Sequence, residues 1–203
     1  MPFEFKRLIL LTSIAAFAAD TDHARFDPGP AAKYANRQTS SGVTVAASAF
    51  ETDDQARAAF GKVNPYKYGV LPVLLIVENK SKDAIRADRI KVQYVSPDRN
   101  EIGNTPPRDL RYLQGVKVPS PVSNPLPMGI PGLGRKKDPP LAEWEIEGRA
   151  FEAKMIPPGE SANGFFYFQT GHRSGSKLVV SGLRDANSGQ ELLYYELQLE
   201  NVR

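Results

Sequence analysis

The chain has 203 residues, of which 41% are hydrophobic and 24% are charged, as expected for a globular domain with a substantial core. It has no cysteine, which excludes disulfides and thiolate chemistry and leaves packing as the source of stability. The formal net charge is +3, and +2 without residues 1–18, which is too small to indicate a nucleic-acid partner.

The N-terminal segment has the pattern of a secretory signal peptide. Lys6 and Arg7 precede the apolar stretch Leu8–Ala19, which is too short to cross a bilayer as a helix. A small-x-small cleavage site at Ala16–Ala18 predicts a signal peptide over residues 1–18; the alternative is a buried N-terminal helix. We therefore expect an exported protein, periplasmic or secreted. We expect no lipid-bearing cysteine and no transmembrane segment in the mature chain.

Residues 19–41 are polar and irregular, and we expect them to form a flexible N-terminal lead-in. A single domain is expected over residues 42–203. Its first strand is predicted at Val43–Ala49, where apolar and smaller or polar side chains alternate as in a half-buried strand.

The next stretch predicts one helix. Thr52 and Gln55 have the spacing of a capping box, in which each side chain bonds the backbone N–H of the other residue. Gly61 is a suitable C-terminal stop. The helix has an apolar stripe that must pack on another element. That stripe consists of Ala56, Ala59, Phe60 and Val63.

The stretch GVLPVLLIVENKSKDAI, residues 69–85, is the most apolar one after the N-terminal segment. It predicts a strand over Val73–Val77, because Pro72 has no N–H to donate and suits the beginning or edge of a strand. A second strand is predicted over Ile90–Tyr94, where apolar and polar residues alternate. Asn79 begins a predicted turn between them and matches a glycosylation acceptor only by its letters.

Three strand segments are apolar on both faces, namely Val73–Val77, Phe165–Phe168 and residues 191–197. A plain pair of packed sheets would place polar groups on the outer face. We therefore predict that these strands are central and that other segments cover their outer faces. The candidates for the cover are the helix after Thr52 and the segments that flank a proline-rich stretch.

This proline-rich stretch, residues 114–140, has seven Pro and four Gly between residues 115 and 140. Loops of this length are uncommon in compact domains, which indicates a functional or disordered insertion. Thr105 and Asp138 each precede a proline, so that short helices are expected on both sides of the insertion.

The last third of the chain predicts one strand after another, separated by turns rich in glycine. The segments are residues 150–156, 164–170, 177–183 and 191–199. The whole pattern predicts an all-β fold. More specifically, we expect an immunoglobulin-like antiparallel β-sandwich of about seven strands, with one or more short helices and the long Pro/Gly-rich insertion.

No residue set defines a chemistry, and we expect no enzymatic activity, no metal and no cofactor. His172 lies in a glycine-rich turn, and the chain has neither a GxSxG nor an HExxH motif. Glu143, Glu145 and Glu147 would share one face of a strand. There a solvated face is favoured over a weak calcium site or a catalytic carboxylate pair.

Aromatic residues near loops are the first candidates for contact with a partner or ligand. Tyr66 and Tyr68 flank Lys67 in a turn, and Trp144 is the single tryptophan. Such rings stack on sugars or peptides, although packing over the ends of the sandwich is the favoured alternative.

A basic run in the proline-rich insertion is the second candidate. It consists of Arg135, Lys136 and Lys137. Three cations suit an acidic partner or anionic lipid head groups, but they equally keep a loop in solvent.

Two longer stretches resemble known sequence units. PVLLIVENKSKDAIRADRIKVQYV resembles the strand-turn-strand unit of immunoglobulin-like accessory domains in bacterial envelope proteins. MIPPGESANGFFYF resembles their unit of a proline-glycine turn followed by an aromatic strand. With the signal peptide and NPYKYG, the chain looks like uncharacterised secreted bacterial proteins with such a domain, over roughly residues 42–199 apart from the insertion. This group includes binding, adhesion, assembly and inhibitor domains, and the resemblance implies no catalytic residues.

We therefore expect an exported, non-enzymatic binding or assembly protein of the bacterial cell envelope, with a protein partner. One alternative is a module that binds carbohydrate or another ligand through the aromatic residues. The other is a proteinase inhibitor that presents the proline-rich loop.

Overall fold

The structure is a computed structural model that describes residues 26–61, 64–110 and 146–200. These residues form eleven strands, the helix α1 (Asp53–Phe60) and three 3-10 helices (Ala31–Lys33, Pro65–Tyr68 and Pro107–Asp109). The strands are β1 Arg37–Ser40, β2 Val43–Ala49, β3 Leu71–Asn79, β4 Ile85–Arg86, β5 Lys91–Val95, β6 Glu101–Gly103, β7 Met155–Ile156, β8 Ser161–Phe168, β9 Lys177–Ser181, β10 Arg184–Asp185 and β11 Tyr195–Gln198.

The strands form three antiparallel sheets. The first sheet has the order β1-β2-β3-β8, the second sheet β11-β9-β5-β6, and the small sheet β10-β4-β7. The predicted predominance of β-structure is therefore confirmed. The number of strands exceeds the expected seven by four, namely β1, β4, β6 and β10. Strands β4, β6 and β10 have only two or three residues, which turn signals do not predict, and β1 lies in the expected lead-in.

Two hydrophobic clusters lie on opposite faces of the first sheet. The inner core joins the first, second and small sheets; its members include Val45, Val73, Leu75, Tyr94, Phe166, Leu178 and Tyr195. The outer cluster covers the other face of the first sheet; its members include Ala46, Ala56, Phe60, Leu74, Leu110, Ile146, Phe165 and Tyr167. Burial of these side chains on both faces is the main stabilising contribution to the sheet.

Strand β3 lies between β2 and β8 in the first sheet, as its two apolar faces predict. Its residues alternate between the two clusters, with Val73 in the inner core and Leu74 in the outer cluster. Strand β8 does the same, with Phe166 inside and Phe165 outside. Pro72 is the second residue of β3, where a missing N–H is tolerated. The predicted cover is thus confirmed for these two strands. The predicted central position is correct for β3 and wrong for β8, which is the last strand of the first sheet and is nevertheless buried on both faces.

Helix α1 begins and ends as the sequence predicts. The N–H of Gln55 donates to the Thr52 hydroxyl (3.3 Å), and the Gln55 side-chain oxygen accepts from the Thr52 N–H (3.2 Å). Gly61 is the C-cap. Ala56, Ala59 and Phe60 are buried in the outer cluster, whereas Val63 lies outside the described residues.

Residues 26–41 contain a strand and packed side chains, whereas the sequence predicts a flexible lead-in over residues 19–41. Strand β1 pairs with β2, and the Ala31 N–H donates to Glu78 Oε1 (2.6 Å). The ring of Phe26 lies 5.7 Å from that of Phe165 and adds to the outer cluster. The sequence does not indicate β1, because its side chains are polar and an edge strand can be held by backbone pairing without an apolar face. Strand β2 is buried on both faces, where the sequence predicts a half-buried strand.

The prediction for residues 191–197 is wrong. Only Tyr195–Gln198 form a strand, β11, which is an edge strand of the second sheet and alternates between buried and exposed residues. Leu193 and Tyr194 precede it and are 73% and 60% exposed. The outer cluster covers the first sheet only, so the outer face of β11 meets none of its residues.

Two further predictions are met in part. Of residues 150–156, only Met155–Ile156 form a strand, and Ala150 makes an isolated bridge to Phe165. The predicted helix after Thr105 is a 3-10 helix, Pro107–Asp109, in the described part of the chain. Within that part, no helix is long and apolar enough to cross a membrane. The proline-rich insertion at 114–140 lies outside it.

Candidate functional site

Two of the predicted contact residues, Tyr66 and Tyr68, lie on the 3-10 helix Pro65–Tyr68. The Asn64 side chain caps this helix by accepting a hydrogen bond from the Tyr66 N–H (3.0 Å), and Gly69 ends it in a left-handed conformation. The other predicted contact residues lie outside the described residues; they are Trp144, Arg135, Lys136 and Lys137.

Tyr66 connects this 3-10 helix to the turn between β8 and β9. Its hydroxyl accepts a hydrogen bond from the backbone N–H of His172 (3.0 Å), and its ring packs against the inner core. Tyr66 therefore holds the 3-10 helix to the turn. Its ring is packed, as the alternative prediction of packing at the end of the sandwich expects, and is not free to stack on a ligand. Tyr68 is 39% exposed and is the part of the helix that presents an aromatic surface.

A buried hydrogen-bond network holds the turn of residues 171–176. The Ser176 hydroxyl donates to the backbone carbonyl of Arg173 (2.6 Å). Since the only hydroxyl proton of Ser176 is used there, the Tyr94 hydroxyl, 2.6 Å from Ser176 Oγ, must be the donor to that oxygen. The Tyr94 oxygen in turn accepts from the Arg173 N–H (3.0 Å). Ser176 and Tyr94 are both fully buried.

His172 lies beside this network. Its Nδ1 is 3.4 Å from the Tyr94 hydroxyl oxygen, and the two rings meet edge to face with centroids 6.1 Å apart. Ser176 is the serine that the network places nearest to His172, and it is buried and already hydrogen-bonded as both donor and acceptor. The arrangement therefore suits a rigid turn better than a serine nucleophile activated by histidine.

An ion pair lies at the exposed side of the turn. Arg173 Nη1 lies 3.1 Å from Asp98 Oδ2, and the two side chains are 59% and 60% exposed. Hydrogen bonding from the Ser96 hydroxyl, and then from its own backbone and Arg173, lowers the pKa of Asp98 below 3.8. We name the area formed by the exposed residues Tyr68, Asp98 and Arg173 and the half-buried residues Tyr66 and His172 the His172 surface. It joins the 3-10 helix, the β5–β6 hairpin and the β8–β9 turn.

The sequence pattern identifies Tyr66 and Tyr68 but misses Tyr94, Asp98 and Ser176. The alternation of β5 marks Tyr94 only as a core residue, and nothing local indicates that its hydroxyl meets a turn far along the chain. The glycines in TGHRSGS mark the turn without indicating its partners.

Two other sequence motifs, the glycosylation-like Asn79 and the glutamates at 143, 145 and 147, do not contribute to this surface. Asn79 is fully buried, and its side-chain amide donates to the carbonyls of Asp83 (2.8 Å) and Ile156 (2.9 Å). It therefore holds a turn and is closed to glycosylation in the folded protein. Glu147 is exposed, whereas Glu143 and Glu145 lie outside the described residues. In the described ranges, no three side chains of the metal-binding types come together.

Comparisons with known proteins give similarity at the level of solved structures. No family model and no curated protein matches the chain. The crystal structure of the yjhA protein from Bacillus subtilis matches with a TM-score of 0.44 and 10% identity, over 82% of this chain and 98% of that one. The ycdA protein from the same organism matches with a TM-score of 0.38 and 13% identity, over 80% of this chain. This chain spans 38% of the length of ycdA.

Proposed function

We propose that this protein is an exported, non-enzymatic binding or assembly protein of the bacterial cell envelope that binds a protein partner through the His172 surface. The proposed fold is an immunoglobulin-like β-sandwich. The packing of two four-stranded antiparallel sheets on one inner core supports this. The predicted signal peptide over residues 1–18 supports export.

The observation that carries the proposal is the buried network of Tyr94, Arg173 and Ser176. It fixes a loop that would otherwise be mobile and holds the exposed side chain of Arg173 near that of Asp98. A preformed loop loses little conformational entropy on binding. Arginine and tyrosine are enriched among the residues that dominate protein interfaces, and Arg173 and Tyr68 are the exposed examples here.

Support for a non-enzymatic role comes from the same network. The hydroxyl protons of Ser176 and Tyr94 are both engaged in holding the turn. Neither hydroxyl reaches solvent, since both residues are fully buried. A catalytic group must instead be accessible to a substrate.

Capture of a partner from envelope extract tests the proposal. The immobilised full chain is compared with Arg173→Ala, Tyr68→Ala and the matched control Arg108→Ala, which removes an exposed cation from another 3-10 helix. A form without residues 115–137 tests the proline-rich insertion separately. We expect the first two substitutions to reduce recovery of the partner by about tenfold, or about 1.4 kcal/mol, and Arg108→Ala to leave it unchanged. Retrieval of no partner, or equal retrieval by all point variants, would contradict the proposal.

Carbohydrate binding is a second candidate, favoured by the exposed ring of Tyr68. It predicts saturable binding on a glycan array that is lost in Tyr68→Ala and kept in Tyr68→Phe, because stacking needs the ring and not the hydroxyl. Recovery of a protein partner without any glycan signal favours the first proposal.

A further inference from the structure

The second sheet and the small sheet share one long hairpin with a kink at Gly182. Val180 pairs with Tyr195, and the Leu192 N–H donates to the Leu183 carbonyl (2.8 Å) in the same register. Gly182 lies between these two pairs with φ +81, and a Cβ there would lie 2.1 Å from the Arg89 carbonyl oxygen. Only glycine permits this close approach of two backbones.

Next to the kink, two adjacent apolar side chains are exposed to solvent. Leu192 packs against the inner core, and Tyr195 is buried in it. Regular alternation would turn Leu193 or Tyr194 inward, yet they are 73% and 60% exposed. Backbone pairing on both sides holds this pair in place. Single exposed apolar residues are common on protein surfaces, but two adjacent ones with this exposure indicate a site of interaction.

Four cations lie on or next to the strands that meet at Gly182. We name this region the Gly182 corner; it consists of Arg86, Arg89, Lys91, Arg184, Leu193 and Tyr194. Arg86 and Arg184 are cross-strand partners and so share one face. The Arg89 backbone touches Gly182, and Lys91 pairs with Ser181 beside it.

Two carboxylates lie among these cations. Asp88 is 3.0 Å from Arg86 and 3.9 Å from Arg184, and Glu191 accepts a hydrogen bond from the Gly182 N–H (2.9 Å). Within the described part of the chain, Arg89 and Lys91 are in no ion pair. Four cations against two carboxylates give the corner a net positive charge. One terminal nitrogen of Arg184 is buried, so that Arg86, Arg89 and Lys91 are the cations exposed to solvent.

We propose that the Gly182 corner docks on an anionic phospholipid surface, with Leu193 and Tyr194 in the interfacial region and the surrounding cations against the lipid phosphates. Tyrosine and leucine enter this region of a bilayer, and nearby Lys and Arg add electrostatic attraction. An acidic protein partner fits less well. Charged residues are depleted at the core of protein interfaces, whereas exposed apolar and aromatic side chains next to cations are the pattern of peripheral membrane binding.

The corner and the His172 surface lie at opposite ends of the second sheet. Strand β9 leads from Ser176, in the His172 turn, to Gly182 over about 20 Å at the usual rise of a strand. A protein docked through the corner therefore keeps the His172 surface away from the lipid. The two proposals can fail independently of each other.

Sedimentation with vesicles tests this inference. The full chain is mixed with vesicles of phosphatidylglycerol and phosphatidylethanolamine, and in parallel with vesicles of phosphatidylcholine alone. The test variants are Arg89→Glu and the double variant Leu193→Ser with Tyr194→Ser. The controls are Arg108→Glu, which makes the same charge reversal elsewhere, and Tyr68→Ser, which removes an exposed ring at the other end. All variants share residues 1–25, and binding to the neutral vesicles measures the contribution of the apolar stretch within them.

We expect binding to the anionic vesicles that falls at least fivefold in Arg89→Glu and more than tenfold in the double serine variant. The controls should bind as the unaltered chain does. Raising NaCl from about 0.1 M to about 1 M, which shortens the Debye length to about 3 Å, should release the protein. Thermal unfolding and circular dichroism show whether each variant is folded.

Equal binding by the folded corner variants and the unaltered chain would overturn the inference, as would equal binding to neutral and anionic vesicles. A third result would also overturn it. In that case the unaltered chain does not bind anionic vesicles, and a corner variant no longer retrieves a protein partner from envelope extract. That result would assign the corner to an acidic protein.

Discussion

The hydroxyl oxygens of Tyr94 and Ser176 lie 2.6 Å apart, although the two residues are 82 positions apart in the chain. Both residues are fully buried. Their hydrogen bond connects the C-terminal part of β5 with the turn before β9, and so joins the inner core to the His172 surface. A polar bond in this position is strong because the surrounding dielectric is low.

Replacement of Tyr94 by phenylalanine should destabilise the protein by about 1–3 kcal/mol. The substitution keeps the ring but leaves the Ser176 oxygen without its donor and the Arg173 N–H without its acceptor. Urea unfolding measures the change. Tyr194→Phe is the matched control, since Tyr194 is 60% exposed, and it should stay within about 0.5 kcal/mol. Equal stability of the two variants would show that the network does not stabilise the fold.

Replacement of Gly182 by alanine should cost more than the same change at Gly159. Both glycines have φ +81, so both substitutions carry about 1–2 kcal/mol of backbone strain. A Cβ at Gly159 meets nothing within 4 Å, whereas at Gly182 it lies 2.1 Å from the Arg89 carbonyl oxygen. We expect a total of at least about 3 kcal/mol for Gly182→Ala, measured by chemical unfolding. Equal losses at the two positions would contradict the close approach at the kink.

Replacement of Phe165 by alanine should destabilise the protein by about 3–5 kcal/mol. The Phe165 ring is 2% exposed, and it lies 4.9 Å from the ring of Phe50 and 5.0 Å from that of Phe60. The substitution therefore opens a cavity between the first sheet and its cover. Leu193→Ala, at a 73% exposed position, should change the free energy of unfolding by less than about 0.5 kcal/mol. A small loss for Phe165→Ala would mean that the cover does not pack on the sheet.

Asp98 should make stability depend on pH in the acidic range. Its pKa is lowered from 3.8 in the folded protein, chiefly by the hydrogen bond from Ser96 and further by its own backbone and Arg173. The folded state therefore binds fewer protons than the unfolded state between the two pKa values. The contribution is complete above pH 3.8 and is lost as the pH falls through the lower, folded pKa.

In Asp98→Asn, the free energy of unfolding should fall less steeply as the pH drops below this range. Urea titrations at a series of acidic pH values measure the slope. Glu152→Gln is the control, because Glu152 is exposed and outside the His172 surface. A slope that Asp98→Asn leaves unaltered would mean that Asp98 is not coupled to folding through these contacts.

Local and periodic features of the sequence predict much of the first sheet. The capping box of Thr52 and Gln55 depends on neighbours a few residues apart, and it forms as predicted. The two apolar faces of β3 and β8 require cover on both sides, and both clusters are present. Residues 191–197 have equally apolar letters, but β11 is an edge strand, and Leu193 and Tyr194 remain exposed. Strand β8 also ends its sheet but is buried on both faces, so hydrophobicity alone does not show which sheet receives a cover on its outer face.

The sequence by itself determined the predominance of β-structure, helix α1 with its caps, and the need to cover β3. These features follow from periods of two and 3.6 residues and from local hydrogen bonds. Only the tertiary structure decided that Tyr66 is an anchor and that Tyr94 holds the turn of His172. It also decided that Gly182 lies against the Arg89 carbonyl and that Leu193 and Tyr194 remain exposed. Such contacts join residues far apart in the chain, and they depend on sheet order and on the close approach of two backbones, which no local pattern encodes.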